Sequence, residues 1–239
     1  MSGTEAGDRS AFLATARRRL AGGVSLNPVH PPPPPAGDAV PRPGYRNLDP
    51  HDLLGTFAAA VEHAGGTCHV AGDRVPDDLL DRVAREVGDR PVVTSGEPDA
   101  RDLGGSLAAR GATVEGASVA GAARAGLGVT GAAAAVAATG SLMLDSRAVG
   151  TRWASLLPPV HLCVVRVNVL VPAPADVLRG LGSGADALPS SMVLVTGPSR
   201  TGDIEQLLTL GAHGPTALHV VVLTGGPGRA STSGAAPRA

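Results

Sequence analysis

The sequence predicts a three-layer α/β fold in which helices cover both faces of a mostly parallel β-sheet. Short apolar segments rich in Val and Leu alternate with segments whose apolar residues recur at helical spacing. Such alternation, with short connections, is typical of parallel sheets built from crossover units. Aromatic residues make up only 2% of the 239 residues and apolar residues 43%, so the core must consist of Val, Leu and Ala. A core of this kind favours strands buried between helical layers.

Composition divides the chain into four parts. Residues 1–22 include AFLATARRRLAG, which predicts a short amphipathic helix, and residues 23–48 form a proline-rich linker held in an extended conformation. Residues 49–225 carry the α/β pattern. Residues 226–239 contain too little apolar surface to pack, so a disordered tail is expected.

The first half of the domain alternates regularly between helix and strand. Apolar residues recur from Leu53 to Val61 at helical spacing, and Gly65 with Gly66 ends this helix. The elements predicted next are a strand at 67–71, a helix at 76–88, a strand at 91–95, a helix at 99–110 and a short strand near Thr113.

The centre of the chain is dense in glycine and alanine. Residues 126–131 predict a turn, because glycine accepts backbone conformations that other residues avoid, and residues 132–138 predict an alanine helix. The elements predicted after it are strands at 141–145, 160–171 and 217–223, helices at 152–157, 174–181 and from Asp203, and an apolar strand that ends at Thr196.

A dinucleotide-binding motif is formally present. Gly126, Gly128 and Gly131 satisfy G-x-G-x-x-G, and Asp145 follows near the place of a ribose-binding acid. That motif must directly follow a buried strand, whereas the preceding residues SVAGAARA are small, polar or basic. We therefore reject a nicotinamide site.

Charge and cysteine content exclude several functional classes. A net charge of −1 creates no field that would gather nucleic acid or an anionic membrane surface, and no apolar run is long enough to span a membrane. We expect a cytoplasmic protein without nucleic-acid partners. Cys68 and Cys163 lie in strand-like segments without a C-x-x-C motif, so both are expected to be buried thiols. No metal site is predicted, and this chain alone cannot supply a cysteine-ligated cluster.

Three segments carry a resemblance to a known family. GVTGAAAAVAATGSLML, RWASLLPPVHLCVV and VLVTGPSRTGDIEQLLTLGAHGP resemble, in order and spacing, signatures of the LutC/YkgG family of lactate-utilisation proteins, also called LUD-domain proteins. The resemblance covers most of residues 50–225. It implies the fold of the NagB/RpiA/CoA-transferase group, an accessory role in oxidising L-lactate to pyruvate, and iron–sulfur proteins as partners.

The sequence departs from the family pattern at two positions. Relatives resemble GVTGADAAIAETGT, whereas Ala133 and Ala138 stand here in place of the Asp and the Glu. Neither position can supply acid chemistry, so no catalytic residue is assigned and no cofactor is indicated.

Glycine-bearing loops beside strand ends predict the ligand contacts. We expect the GVTG and GPSRT loops to face one small carboxylate or phosphate beyond the carboxyl ends of the strands. Arg200 either clamps this anion or pairs with Asp203 or Glu205, and His161 is either a ligand group or a packed imidazole. The predicted ligand-binding residues are Gly128, Thr130, Gly131, Thr139, His161, Thr196, Gly197, Ser199, Arg200, Thr201 and His213.

Two further functions fit the sequence, so whether the chain is itself an enzyme stays open. The fold group that the resemblance implies suggests a free-standing CoA-transferase or sugar-phosphate isomerase. Covalent CoA transfer would need a glutamate nucleophile, for which Glu115 or Glu205 is available. The other alternative is a sensor that only binds a small ligand.

Overall fold

The computed structural model describes residues 52–147, 150–181, 189–202, 208–211 and 213–225. The predicted N-terminal helix in residues 1–22, the linker at 23–48 and the tail at 226–239 lie outside these ranges, as does Asp203, where a helix was expected to begin. Those expectations stay predictions.

Six α-helices lie in the described part of the chain. They are α1 (Leu53–His63), α2 (Asp77–Val87), α3 (Pro98–Ala108), α4 (Val119–Arg124), α5 (Thr151–Leu156) and α6 (Pro174–Gly180). In α2, Asp77 and Asp78 occupy the first turn, where negative charge opposes the positive end of the helix dipole. Leu80, Val83 and Val87 recur at helical spacing and are buried on the inner face.

The described residues also form twelve β-strands, numbered in chain order. They are β1 (Thr67–Ala71), β2 (Val92–Thr94), β3 (Val114–Gly116), β4 (Leu127–Gly131), β5 (Ala134–Val136), β6 (Ser141–Asp145), β7 (Val160–Arg166), β8 (Leu170–Val171), β9 (Met192–Val195), β10 (Arg200–Gly202), β11 (Leu208–Leu210) and β12 (Ala217–Leu223). β1 and β12 have the bounds that the sequence predicts.

The strands are distributed over two sheets and a ribbon. Six of them form a sheet in which every neighbouring pair is parallel, in the order β1, β12, β7, β4, β2, β3. Four form a mixed sheet in the order β8, β5, β6, β9, where β6 is antiparallel to both neighbours. β10 and β11 pair as an antiparallel ribbon. The predicted α/β class with a mostly parallel sheet is confirmed.

Alternate residues of β7 show how the layers are stacked. Leu162 and Val164 join a buried cluster with α2 and α3, whereas Cys163 and Val165 join a cluster with α1 and the mixed sheet. Successive side chains of a strand point to opposite faces, so these two groups of elements cover opposite faces of the parallel sheet. α4 and α5 lie on the second face, where they pack against Val93.

The turn predicted at residues 126–131 is wrong. This segment contains β4, an interior strand of the parallel sheet whose residues are all buried. Its low side-chain bulk hides the strand in the sequence, but glycine here serves close packing. A Cβ added at Gly128 would overlap the carbonyl oxygen of Ala154 in α5.

The alanine helix predicted at residues 132–138 is also wrong, because the segment contains β5. This strand pairs with β6 and β8 and is buried on both sides. Ala135 faces the cluster beneath α1, whereas Ala134 and Val136 face α6. The helix preference of alanine is worth only about 0.5 kcal/mol per residue against typical strand formers, and this pairing and burial outweigh it.

Two predictions in the second half of the domain need correction. The strand expected at residues 160–171 is interrupted, because β7 ends at Arg166, Val167–Val169 forms a 3-10 turn and β8 joins the mixed sheet. The loop expected up to Thr201 contains β10 instead. Since β10 pairs with β11, the helix expected from Asp203 does not extend to Leu208.

The two cysteines differ in burial. Cys163 is fully buried as predicted, but Cys68 on the edge strand β1 is only partly buried, which corrects the expectation. Burial raises the pKa of Cys163 to about 12. Burial, with the charge of Glu62 adding to it, raises the pKa of Cys68 to about 11. Both thiols are therefore protonated at neutral pH and are poor nucleophiles and metal ligands.

Candidate functional site

The carboxyl ends of β2 and β4 mark the topological switch point of the parallel sheet. α3, which follows β2, covers one face, whereas β5, which follows β4, lies on the other. β2 and β4 are neighbouring strands, and the chain leaves their carboxyl ends toward opposite faces of the sheet. Open α/β sheets bind ligands in the crevice at such a point.

Ser95 and Glu97 follow β2 and lie at this switch point. The backbone N–H of Ser95 donates to the carbonyl oxygen of Val129 at 2.9 Å, and its hydroxyl donates to the Glu97 carboxylate. Glu97 extends over the end of β4, since a Cβ added at Gly131 would lie 3.1 Å from the Cβ and the Cγ of Glu97. Glycine at position 131 therefore makes room for a side chain that carries a carboxylate.

Sequence reasoning missed both residues. The signal that could have found them is the polar run TSGEP between a buried strand and a helix start, which is where open sheets place ligand contacts. Glu115, considered as a nucleophile, lies on the edge strand β3, 3.4 Å from the guanidinium of Arg124. Glu205 lies outside the described residues.

An ion pair lies at the same carboxyl ends of the parallel strands. Arg166, the last residue of β7, donates from Nε and Nη2 to the Asp99 carboxylate at 2.9 and 2.5 Å. Asp99 lies in the first turn of α3, so the pair ties the sheet to the helix that follows β2. Hydrogen bonding to Asp99 raises the pKa of Arg166. Nη1 of Arg166 is buried and has no hydrogen-bond partner within the described ranges.

Thr130 and His161 form a buried hydrogen bond between β4 and β7. Thr130 Oγ1 lies 2.8 Å from His161 Nε2, and both residues are 0% exposed. Burial, with the charge of His219 contributing, lowers the pKa of His161 to about 4, so the imidazole is neutral at pH 7. Its Nδ1 has no partner in the part of the chain that the structure describes. His161 is thus placed as a packed imidazole whose partner is a hydroxyl instead of the backbone.

A second group of predicted residues lies around the last turn of α1. The hydroxyls of Thr139, Ser141 and Thr196 form a chain with oxygen separations of 2.6 and 2.7 Å. Ser141 was not predicted. Gly197 adopts φ +71°, and a Cβ at this position would overlap the carbonyl oxygen of Ala64. Gly197, which follows this hydroxyl chain, therefore packs directly against the end of α1.

Arg200 is exposed and contacts the same helix end. Its Nη2 donates to the carbonyl oxygen of Ala64 at 2.7 Å. Ala64 caps the carboxyl end of α1, so the guanidinium satisfies a carbonyl at the negative end of the helix. The carboxylates of Asp203 and Glu205, the expected alternative partners, lie outside the described residues.

The GPSRT loop lies where strands of the parallel sheet begin. The backbone N–H of Ser199 donates to the carbonyl oxygen of Pro215 at 2.8 Å, just before β12. His213 is exposed in the turn before Pro215, and Thr201 lies in β10. The expectation that this loop lies beyond the carboxyl ends is therefore corrected. Gly131 lies at the carboxyl ends of the parallel strands and Arg200 near their amino ends, so the two residues do not share one pocket.

The carboxyl ends of the parallel strands carry side chains that can bind a polar ligand. Glu97 offers a carboxylate that can accept a hydrogen bond or a proton, and Arg166 brings a cation that Asp99 balances.

Within the described ranges, no group of three His, Cys, Asp or Glu residues is placed to hold a metal ion. The helices of these same ranges include none that is long and apolar enough to cross a membrane.

Comparisons with known proteins identify related sequences. Residues 112–223 match the LUD domain. The chain is 35% identical over 94 residues to uncharacterized protein NMB1437 of Neisseria meningitidis, covering 39% of this chain and 40% of that protein. It is 36% identical over 102 residues to lactate utilization protein C of Deinococcus radiodurans, covering 40% and 45%. These two alignments thus span less than half of each relative.

A longer alignment and a solved structure extend the comparison. The chain is 30% identical over 171 residues to uncharacterized protein YkgG of Escherichia coli, covering 65% of this chain and 72% of that protein. The structure resembles the crystal structure of a DUF162 family protein from Deinococcus radiodurans with a TM-score of 0.51 and 26% identity. That similarity covers 74% of this chain and 99% of the other.

Proposed function

Because this chain belongs to the LUD domain family, we propose that it takes part in lactate utilisation. Its role is that of an accessory component in a system that oxidises L-lactate to pyruvate. The observation that carries this proposal is the sequence similarity to relatives named lactate utilization protein C. Those of Deinococcus radiodurans and Halalkalibacterium halodurans are 36% and 35% identical over the aligned residues.

The chemistry of this oxidation calls for a second component. Conversion of lactate to pyruvate releases two electrons and two protons, and an acceptor must take up the electrons. The chain has 2 cysteines, and their raised pKa values keep both thiols protonated. An iron–sulfur cluster is usually held by four thiolates. We therefore assign electron acceptance to cysteine-rich iron–sulfur partner proteins.

The switch point between β2 and β4 is the place that would bind the small acid in this proposal. Glu97, hydrogen-bonded by Ser95, would accept the hydrogen of the 2-hydroxyl group. Asp99 balances the charge of Arg166, but the Nη1 of Arg166, which has no partner in the described residues, would donate a hydrogen bond to the carboxylate of the ligand. Binding here would position the acid for electron transfer to the partner.

Glu97→Gln tests this placement in an assay that contains the chain, its iron–sulfur partners and L-lactate. The amide keeps the shape of the side chain but removes the charged acceptor. A hydrogen bond to a charged group contributes about 1.5–3 kcal/mol, so turnover should fall at least about tenfold. Glu62→Gln, an exposed change on α1, is the matched control. Equal turnover in the two variants would remove Glu97 from the site.

A further inference from the structure

We propose that a pocket between the mixed sheet and α5 is a second ligand site, which binds a small anion through its carboxylate or phosphate oxygens, with Arg152 as the anchoring cation. The pocket is a small cavity of about 20 Å³ that opens to solvent. A space of this size holds about one water-sized group, so only the carboxylate or phosphate oxygens of a ligand would enter it while the rest of the ligand stays in solvent. The polar lining consists of Asp145, Ser146, Arg152, Ser155 and Ser191. None of these residues belongs to the switch point between β2 and β4.

The three segments that carry the family resemblance meet at this pocket. The first segment ends at Leu144, the second begins at Arg152 and the third begins at Val193, and all three residues line the pocket. Leu144 and Val193 are directly paired across β6 and β9. α5 then brings Arg152 to the same place. Segments far apart in sequence therefore converge on one cavity.

The charges around the pocket favour an anion. Asp145 accepts hydrogen bonds from the backbone N–H and the Nε of Arg147 at 2.9 and 2.7 Å, and a further one from its Nη2. Its charge is thereby balanced, and the same contacts raise the pKa of Arg147. Arg152 has no carboxylate partner in the described residues. Its side chain contacts the ring of the neighbouring Trp153. Among the described residues that line the pocket or pair with its lining, the positive charge of Arg152 is thus left without a balancing carboxylate.

The donors around the pocket are held in position. The guanidinium carbon of Arg152 lies 5.4 Å from the ring centroid of Trp153, a cation–π contact that restrains the long side chain. Ser155 is only 3% exposed, and its hydroxyl donates to the carbonyl oxygen of Arg152 at 3.2 Å. The Ser146 hydroxyl accepts from the backbone N–H of Ser191 at 3.1 Å. An entering anion would therefore meet an exposed cation restrained by a ring contact, and two hydroxyls whose positions are set by hydrogen bonds to the backbone.

The fluorescence of Trp153 offers a direct test, because the chain contains 1 tryptophan and it lies against Arg152. We expect a saturable fluorescence change when the purified chain is titrated with L-lactate, pyruvate or inorganic phosphate, and none with chloride at equal ionic strength. Saturation by the two carboxylates alone assigns a carboxylate site, and saturation by phosphate alone assigns a phosphate site. No saturation with any of them, or an equal change with chloride, would overturn the proposal.

Variants separate this site from general electrostatics. Arg152→Gln should weaken binding at least about tenfold, because it removes the charged donor pair. Arg152→Lys keeps the charge but loses the planar fork, so an intermediate affinity is expected. Arg85→Gln, an exposed change on α2 that alters net charge equally, should bind like the wild type. Calorimetry on the same proteins distinguishes lost binding from lost signal. Equal affinities in Arg152→Gln and Arg85→Gln would contradict the proposal, whatever happens in the lactate assay with partners.

Discussion

Gly128→Ala is expected to destabilise the protein by roughly 3–4 kcal/mol, near the upper end of single-substitution effects. The added Cβ would overlap the carbonyl oxygen of Ala154, and Pro158 lies close on the same side. The clash involves the backbone of α5, which cannot rotate away as a side chain can. Either α5 must lift off β4 or the parallel sheet must distort at an interior strand.

Urea unfolding measures this effect, with Gly105→Ala as the matched control. Gly105 lies exposed in α3, and an added Cβ would meet nothing within 4 Å. Alanine there should stabilise the helix by about 0.4–1 kcal/mol, through its higher helix propensity and the lower entropy of the unfolded chain. A Gly128→Ala variant as stable as the wild type would mean that α5 does not lie on β4 as the structure places it. Loss of soluble protein for Gly128→Ala alone agrees with the expected clash.

His161 should make stability fall steeply as the pH decreases. Its pKa is about 4 in the folded state, against 6.5 for the unperturbed group, so the unfolded chain binds a proton first. The buried neutral imidazole costs no stability above pH 6.5, and the free energy of unfolding falls as the pH decreases from 6.5 toward 4. A difference of this size corresponds to about 3 kcal/mol.

The comparison that isolates this effect uses His161→Gln, whose amide can still bond Thr130 but does not titrate. The free energy of unfolding is measured for both proteins from pH 7 to pH 4. Carboxylates and the partly buried His69 titrate alike in both and cancel in the difference. The wild type should lose about 3 kcal/mol more than the variant over this range. Parallel pH profiles would show that His161 is not the buried, neutral group described.

Local pattern was sufficient for much of this fold. β1 follows the glycine pair that ends α1, and β12 is a short apolar run. α2 combines acids in its first turn with apolar residues at helical spacing, so each of these elements is predictable without tertiary context. β4 and β5 are not, because their residues are chosen for close backbone approach and burial on both faces. Glycine and alanine in such strands resemble a turn and a helix when read locally.

The site residues depended still more on topology. Ser95 and Glu97 stand out only once β2 and β4 are known to be neighbours whose connections leave toward opposite faces. The GPSRT loop follows β9, which belongs to the mixed sheet, so the rule about carboxyl ends of parallel strands does not apply to it. Thr130 and His161 are adjacent only through the register of β4 and β7. None of these relationships is visible in spacing along the chain.

Dye reduction with L-lactate is the most direct measurement of the proposed function. The purified chain alone is expected to contain no iron and to leave an artificial electron acceptor unreduced, because its 2 cysteines are too few to hold a cluster. Addition of the iron–sulfur partners from the same cell should produce lactate-dependent reduction that neither the partners nor the chain gives separately. Lactate-dependent reduction by the purified chain without partners would contradict the accessory role and identify an autonomous enzyme.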